Sequence, residues 1–399
     1  MIKKIAADSL KVGMYIHDLD ASWMSHPFFR NRFSVDSQKI IDEVLGAGIK
    51  HVYIDTERGL DFEAAVPLEL IKEDIAERKQ KIADEQAGLV KEVSFESELI
   101  RAQSIVIEAH SAVRGFMQEV RFGNRIEQAA VDEVVDDVVE SVFRNPDALI
   151  TLSRIKSVDQ YTYMHSISVC VLMTTFARAM AFDADTIRQI SVGALLHDIG
   201  KMRVSSEILN KPDKLSADEF ELMKRHVDFG EELLAEQDWM SELSLSVVRE
   251  HHERIDGSGY PNRLSGDDIS DVGRMAAIVD VYDALTSNRC YKKSWEPTYT
   301  LGKMLEWSRD HFGEVMAHQF VRCVGIYPVG TLVRLRSGMI AVVVDQHEDH
   351  LLQPRVRVVF NETTGRGVEP EDVELTNSED YIADAVSPKK LRIDPMKFL

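Results

Sequence analysis

The stretch LLHDIGKMR, residues 195–203, places a histidine and an aspartate side by side at the end of an apolar helical run. Leu195 and Leu196 are ordinary core residues, so His197 and Asp198 are expected to lie among buried side chains. A buried ionisable group is costly unless it is paired or bound to a metal. The rest of the chain must therefore supply partners for this pair.

Composition and charge limit the classes of function that the chain can serve. With 399 residues, 44% of them hydrophobic and 29% charged, it reads as a globular protein of more than one domain. Its formal net charge of -20 excludes nonspecific binding to nucleic-acid polymers or anionic membranes, which requires basic patches. A small phosphorylated ligand in a locally positive pocket stays compatible with this charge.

Cysteine usage and the absence of targeting signals predict a cytoplasmic protein. Cys170, Cys290 and Cys323 are widely scattered and form no CxxC pair, as is usual in a reducing compartment. The N-terminal lysines are followed by no apolar block, which argues against a signal peptide. The most apolar stretch, ISVCVLMTTFARAMAF, is short and contains Arg178, so we expect no membrane insertion.

Sequence patterns divide the chain into four parts and predict a mainly α fold. The strand-like segments GMYI and KHVYIDT flank the helical SQKIIDEVLGAGI, whereas GTLVRLRSGMIAVVVDQ reads as a hairpin with its turn at Ser337-Gly338. The proposed parts are a small α/β domain at 1–65, a helical connector at 66–125, an all-helical domain at 126–325, and a β-rich extension at 326–399. The helices within 67–123 either form a plain spacer or mediate homodimerisation or signal transmission.

Metal-ligand residue types recur across the helical region beside apolar neighbours, where a solvated polar face is not expected. Seven such side chains would each be costly if buried without a partner. Imidazoles and carboxylates together suit divalent transition metals, whereas a structural zinc site would favour cysteine thiolates. The candidate ligands are His165, His197, Asp198, His226, His251, His252 and Asp280.

Basic residues near these candidates indicate a phosphate ligand. Lys201 follows His197 by four residues, and Arg289 and Lys292 lie in NRCYKK, soon after Asp280. Arginine grips a phosphate with two parallel hydrogen bonds, and lysine acts as a point charge. These three are candidate substrate-binding residues.

A loop follows the last two candidate histidines. Its sequence ERIDGSGYPNRL contains two glycines and a proline that break a helix. Tyr260 in this loop either contacts the substrate or braces the loop.

The order H...HD.GK...H...HHE..DGSGYP...D..DAL...R.YK resembles the HD-GYP family of cyclic di-GMP phosphodiesterases over about residues 140–325. The first 65 residues are similar to a small domain of unknown function that often precedes HD-GYP domains. The resemblance implies a centre of two divalent metals, iron or manganese, held by the seven candidates with Asp198 bridging. It also implies hydrolysis of cyclic di-GMP to pGpG, and onward to GMP, with Asp198 and Lys201 as catalytic residues.

One departure from the family pattern bears on activity. Some members carry a glutamate four residues before the first histidine, where it helps to hold a third metal, but this chain has Tyr161 there. We therefore expect two metals rather than three. Two alternatives stay open: a catalytically weak cyclic di-GMP receptor that signals through the helical connector, and a general HD-type nucleotide phosphohydrolase.

Overall fold

Helices make up most of the chain, and one small antiparallel sheet lies towards each end, which confirms the mainly α prediction. The computed structural model describes residues 1–21, 28, 31–84, 91–154, 161–211, 215–287, 294–347 and 349–399, apart from the side chains of Tyr161 and Lys389. The chain divides into two units, residues 1–78 with 206–222, and residues 79–205 with 223–399. Among the described residues, no helix combines the length and the apolar character needed to cross a bilayer.

The N-terminal part of the first unit is a five-stranded antiparallel sheet with one helix packed against it. The sheet order is β3-β2-β4-β1-β5. Ile41 and Val44 of the helix share a buried apolar core with Ile16 and Ile54 of the sheet. The predicted helix and both predicted strands are confirmed. The elements are β1 (Ile2–Ala6), β2 (Tyr15–Asp18), β3 (Phe33–Ser34), α1 (Gln38–Gly46), β4 (His51–Asp55), β5 (Val66–Pro67) and α2 (Leu68–Asp84).

The second unit contains the helices that carry most of the candidate ligands. The Asn145 side chain caps a new helix that begins at Pro146. The segment 206–222 of the first unit contains α8 and most of α9. The helices from α3 onward are α3 (Phe95–Arg121), α4 (Gln128–Arg144), α5 (Pro146–Ser153), α6 (Tyr161–Ala179), α7 (Ala184–Leu196), α8 (Ser206–Leu209), α9 (Ala217–Lys224), α10 (His226–Ala235), α11 (Glu242–Glu250), α12 (Asp271–Thr286), α13 (Pro297–His311) and α14 (Glu314–Val324).

The C-terminal part of the second unit is a second five-stranded antiparallel sheet, with order β10-β6-β7-β8-β9. Leu332 pairs with Val342 across the first hairpin, and Gly338 takes a φ of 81° in its turn, which confirms the predicted hairpin. The elements are β6 (Leu332–Leu335), β7 (Met339–Asp345), β8 (Arg355–Asn361), β9 (Arg366–Glu374), β10 (Ile382–Ala385) and α15 (Pro388–Leu391).

The turn after α7 packs against α10 closely enough to require glycine. A short 3-10 helix, Ile199–Arg203, follows Asp198. A Cβ atom added to Gly200 would lie 2.0 Å from the carbonyl oxygen of His226 and 2.4 Å from the amide nitrogen of Gly230. Both atoms belong to the backbone, so side-chain movement cannot relieve the clash. This contact brings the backbones that carry Asp198 and His226 together.

We expect Gly200→Ala to destabilise the protein by at least about 1–3 kcal/mol, because an overpacked site must shift its backbone. Gly115→Ala in α3 is the matched control, since its added Cβ meets nothing within 4 Å. That control should be neutral or stabilising by about 1 kcal/mol, as alanine favours helix over glycine. Chemical denaturation measures both variants, and equal stability of the two would contradict the packing argument.

Candidate metal centre

The structure brings all seven candidate ligand side chains together, and most of them lie at or just beyond helix ends. His197 and Asp198 directly follow α7, and His251 and His252 directly follow α11. His226 is the first residue of α10, whereas His165 and Asp280 lie within α6 and α12. Helix ends from separate parts of the chain therefore converge on one place.

The carboxylate of Asp198 lies at the middle of this cluster. Its Oδ1 atom is 3.3 Å from His226 Nε2 and 3.9 Å from His251 Nε2. Its Oδ2 atom is 3.3 Å from His197 Nε2 and 3.5 Å from His165 Nε2. Each oxygen thus faces a different pair of imidazoles, as a bridging carboxylate would.

The ligand atoms form two groups, each with its atoms within 4.8 Å of one another. One group contains Asp198, His226, His251 and His252, and the other contains His165, His197 and Asp280. Asp280 also connects the groups, because its Oδ1 is 3.1 Å from His165 Nε2 and its Oδ2 is 3.6 Å from His252 Nδ1. The arrangement has room for two neighbouring cations.

Backbone carbonyls fix the orientation of three of the imidazoles. The Nδ1 atoms of His197, His226 and His251 lie 2.8, 2.7 and 2.7 Å from the carbonyl oxygens three residues earlier. These carbonyls belong to the last turn of the preceding helix, where they lack a partner within the helix. An Nδ1–H that donates there leaves Nε2 free as the ligand atom.

Protonation states in the cluster largely match those that metal ligands need. Burial lowers the pKa of His226 to about 4 and that of His251 to about 3, so both imidazoles are neutral at pH 7. Burial raises the pKa of the Asp198 carboxyl, but Lys201 and the neighbouring histidines outweigh it, and the pKa lies well below its usual value.

His165 differs from the other imidazoles because carboxylates surround it. Burial lowers its pKa, but hydrogen bonds to Asp198, Asp280 and Asp283 outweigh burial and raise the pKa to about 9. A metal at this position would have to displace the proton that the carboxylates hold on His165.

The described residues fit a divalent metal. The Nε2 atom of His197 and the Oδ1 atom of Asp198 are buried and make no hydrogen bond within the described part of the chain. Such buried polar atoms are costly, and cations held by the two ligand groups would satisfy both. The donor set is nitrogen and oxygen without thiolate, which suits iron, manganese and related divalent metals.

Of the candidate substrate-binding residues, the structure describes Lys201 and Tyr260. Lys201 Nζ donates a short hydrogen bond to Asp198 Oδ2, so its charge lies directly beside the ligand cluster. The Tyr260 ring lies beside His252, with ring centroids 4.6 Å apart. Arg289 and Lys292 lie outside the described residues.

Asp283 is a site residue that the sequence analysis missed. Its Oδ2 lies 2.6 Å from His165 Nδ1. The carboxylate therefore takes the place of the backbone carbonyl that accepts from Nδ1 at His197, His226 and His251. The sequence carried a signal for this role: Asp283 follows Asp280 by three residues on one helix, and residues three apart share a helix face.

Glu253 is a second residue that the sequence analysis missed. Its buried carboxylate accepts hydrogen bonds from the amides of Asn262 and Leu264, at 2.7 and 3.0 Å. It therefore fixes the loop that carries Tyr260. The signal was an acidic residue directly after two candidate ligands.

Comparison with known proteins agrees with this geometry. A family model described as a domain of unknown function, DUF3391, matches residues 2–131, and one described as an HD domain matches residues 142–315. The cyclic di-GMP phosphodiesterase PA4108 of Pseudomonas aeruginosa is 41% identical over 364 residues, covering 90% of this chain and 86% of that protein.

Other relatives match about a third of the chain. The 3'3'-cGAMP-specific phosphodiesterase 2 of Vibrio cholerae is 41% identical over 33% of this chain and 24% of its own length. The cyclic di-GMP phosphodiesterase response regulator RpfG of Xanthomonas campestris pv. campestris is 42% identical over 30% of this chain and 32% of its own length.

Fold and site together define an HD-domain protein, a class whose histidines and aspartates bind divalent metal. Within that class, the HHE and GYP elements and the extensive match to PA4108 identify the particular branch. The chain belongs to the HD-GYP family and carries a DUF3391 domain ahead of the HD domain.

We expect Asp283→Ala to weaken metal binding about 10- to 100-fold, because partners that orient a ligating histidine typically contribute that much affinity. Asp271→Asn is the control, since Asp271 is an exposed carboxylate on the same helix. Metal titration of the two variants and the wild type provides the measurement. Unchanged affinity in Asp283→Ala would show that the hydrogen bond to His165 has no part in metal binding.

Proposed function

We propose that this protein is a metal-dependent phosphodiesterase that hydrolyses cyclic di-GMP to pGpG in bacterial second-messenger signalling. The observation that supports this most directly is the Asp198 carboxylate between two pairs of imidazoles, in a chain that is 41% identical to a cyclic di-GMP phosphodiesterase. Paired ligand groups of this kind suit displacement at phosphorus.

We propose that two divalent ions, iron or manganese, bind the two ligand groups. His165, His197 and Asp280 would hold one ion, and His226, His251 and His252 would hold the other, with Asp198 shared between them. When bound, such ions supply Lewis-acid activation of water and offset negative charge on the phosphate.

The surrounding residues of the chain would bind and orient the substrate. The Lys201 ammonium beside Asp198 is positioned to offset charge that develops on the reacting phosphate. Arg289 and Lys292 would hold phosphate oxygens, and Tyr260 would border the substrate beside His252. The six candidate metal ligands other than His252 are deeply buried. This burial excludes bulk water from the reacting centre and strengthens the electrostatic interactions there.

We propose pGpG as the main product, because Tyr161 stands where some relatives carry a glutamate that helps to hold a third metal. A phenol is a poorer ligand for that purpose than a carboxylate, so the second cleavage to GMP would be slow. Chromatography of the reaction products over time distinguishes pGpG from GMP.

Two other functions compete with this proposal. A receptor without useful catalysis would bind cyclic di-GMP and signal through the helices of 67–123, and a general HD-type phosphohydrolase would act on mononucleotides. Since three of the relatives in Vibrio cholerae are specific for 3'3'-cGAMP, the substrate panel must include that compound. The full GSGYP element and the match to PA4108 favour cyclic di-GMP.

We expect anaerobically prepared protein loaded with iron or manganese to hydrolyse cyclic di-GMP, and Asp198→Ala to lose bound metal and turnover together. Loss of the bridging carboxylate removes a ligand from both groups. Metal analysis and product chromatography on the same samples provide the measurement. Asp271→Asn, on the surface of α12, serves as the control and should keep both properties.

The outcomes separate the three functions. Full activity in Asp198→Ala would refute the assignment of the metal centre. Tight binding of cyclic di-GMP without turnover by the metal-loaded wild type would support the receptor instead. Faster hydrolysis of mononucleotides than of cyclic dinucleotides would support a general phosphohydrolase.

We also propose that the protein is cytoplasmic and that it forms a homodimer through the helices of 67–123. Support comes from Ile100 and Ile107 of α3, which lie seven residues apart with exposures of 73% and 70%. Ile107→Lys should shift the full chain to monomer in sedimentation velocity, because a buried charge opposes association. Gln103→Lys, an exposed polar position on the same helix, is the control. A dimer that persists in Ile107→Lys would contradict this interface.

A further inference from the structure

Side-chain exposure shows on which side the ligand cluster opens. His165, His197, Asp198, His226, His251 and Asp280 each expose between 1% and 5% of their side chains. His252 exposes 17%, and Lys201 exposes 23%. A substrate must therefore approach past His252 and Lys201.

Tyr260 forms one wall of this opening. Its ring centroid lies 4.6 Å from that of His252, at an interplanar angle of 34°, and 6.5 Å from that of His226. Glu253 fixes the loop that carries it, through the two amide hydrogen bonds described above. These hydrogen bonds position the loop that carries the Tyr260 ring.

Lys224 extends this wall with a positive charge. The residue ends α9, two positions before His226, and its Nζ atom lies 5.6 Å from the centroid of the Tyr260 ring. The residue is partly exposed, so it lies at the protein surface beside the Tyr260 ring. Its neighbour Arg225 lies instead over Phe229, with its guanidinium carbon 4.7 Å from that ring centroid.

The chemistry of a cyclic dinucleotide demands a second cationic contact. Such a molecule contains two phosphodiesters in one ring, and only one of them can occupy the reacting position at a time. The other keeps its negative charge close to a protein with a formal net charge of -20. Lys201 lies at the reacting end beside Asp198, and a further cation near the opening, in addition to the proposed Arg289 and Lys292, would stabilise the second phosphodiester.

We propose that Lys224 binds the second, non-reacting phosphodiester of the substrate and thereby favours cyclic dinucleotides over simple phosphodiesters. This inference rests on the proposed function. Lys224 lies along the Tyr260 wall, so a ring whose first phosphodiester reaches the metal ligands would present its second one towards the ammonium group.

The test compares Lys224→Met, Lys224→Arg and Arg225→Gln in the metal-loaded full chain, with metal content measured first. The substrates are cyclic di-GMP and bis(p-nitrophenyl) phosphate, which has a single phosphodiester and no second phosphate. Lys224→Met should raise the KM for cyclic di-GMP about tenfold, as expected for one lost charge-assisted hydrogen bond, with kcat near the wild-type value. Its kcat/KM for bis(p-nitrophenyl) phosphate should stay unchanged.

The other two variants are the controls. Lys224→Arg should recover most of the affinity, since it restores the charge. Arg225→Gln removes the same charge one residue away and should behave as wild type. Equilibrium binding of cyclic di-GMP to wild type and Lys224→Met should show the same tenfold difference.

Several outcomes would overturn the inference. An equal loss on both substrates would mean that Lys224 acts on the reacting phosphate or only holds Tyr260 in place. Unchanged KM and binding in Lys224→Met would mean that it does not contact the substrate. If the wild type neither binds nor hydrolyses cyclic di-GMP, the proposed function fails and this inference fails with it, whereas active wild type with an unaffected variant rejects the inference alone.

Discussion

The Asp198 carboxylate is the interaction on which the rest of the site depends. It is 1% exposed, it is ionised, and each of its oxygens faces a separate pair of imidazoles. An ionised carboxylate in such a place is tolerable only where positive charge compensates it. Lys201 supplies part of that charge, and the neutral imidazoles of His226 and His251 leave their ligand atoms for cations.

Backbone geometry orients the ligand atoms before any cation binds. Three histidines donate from Nδ1 to backbone carbonyls in the last turn of the preceding helix, which have no partner within that helix. The same hydrogen bond therefore caps the helix end and orients the imidazole. The close approach at Gly200 holds two of these turns together. The same contacts therefore pack the second unit and orient the candidate metal ligands.

The residues proposed to bind metal and those proposed to bind substrate lie in different parts of the site. Buried residues at helix ends hold the ligand atoms, whereas the partly exposed wall of His252, Tyr260 and Lys224 faces the opening. Glu253, three residues after the end of α11, fixes the loop that carries Tyr260. Positive side chains near the opening would offset the repulsion between an acidic protein and an anionic substrate.

The sequence by itself determined the mainly α class, the strands and helix of the first 65 residues, and the hairpin at Gly338, because helical periodicity, strand content and turn residues are local signals. It also identified the seven candidate ligands, since histidine and aspartate are unusual beside apolar neighbours. Only the tertiary structure decided which oxygen of Asp198 faces which histidines, that Asp283 contacts His165 from 118 residues away, and that Lys224 lies over Tyr260. Strand β1 was likewise missed, because two lysines interrupt its pattern and only pairing with β4 and β5 makes it a strand. Such contacts depend on how helices and strands pack across long stretches of chain, which no local pattern records.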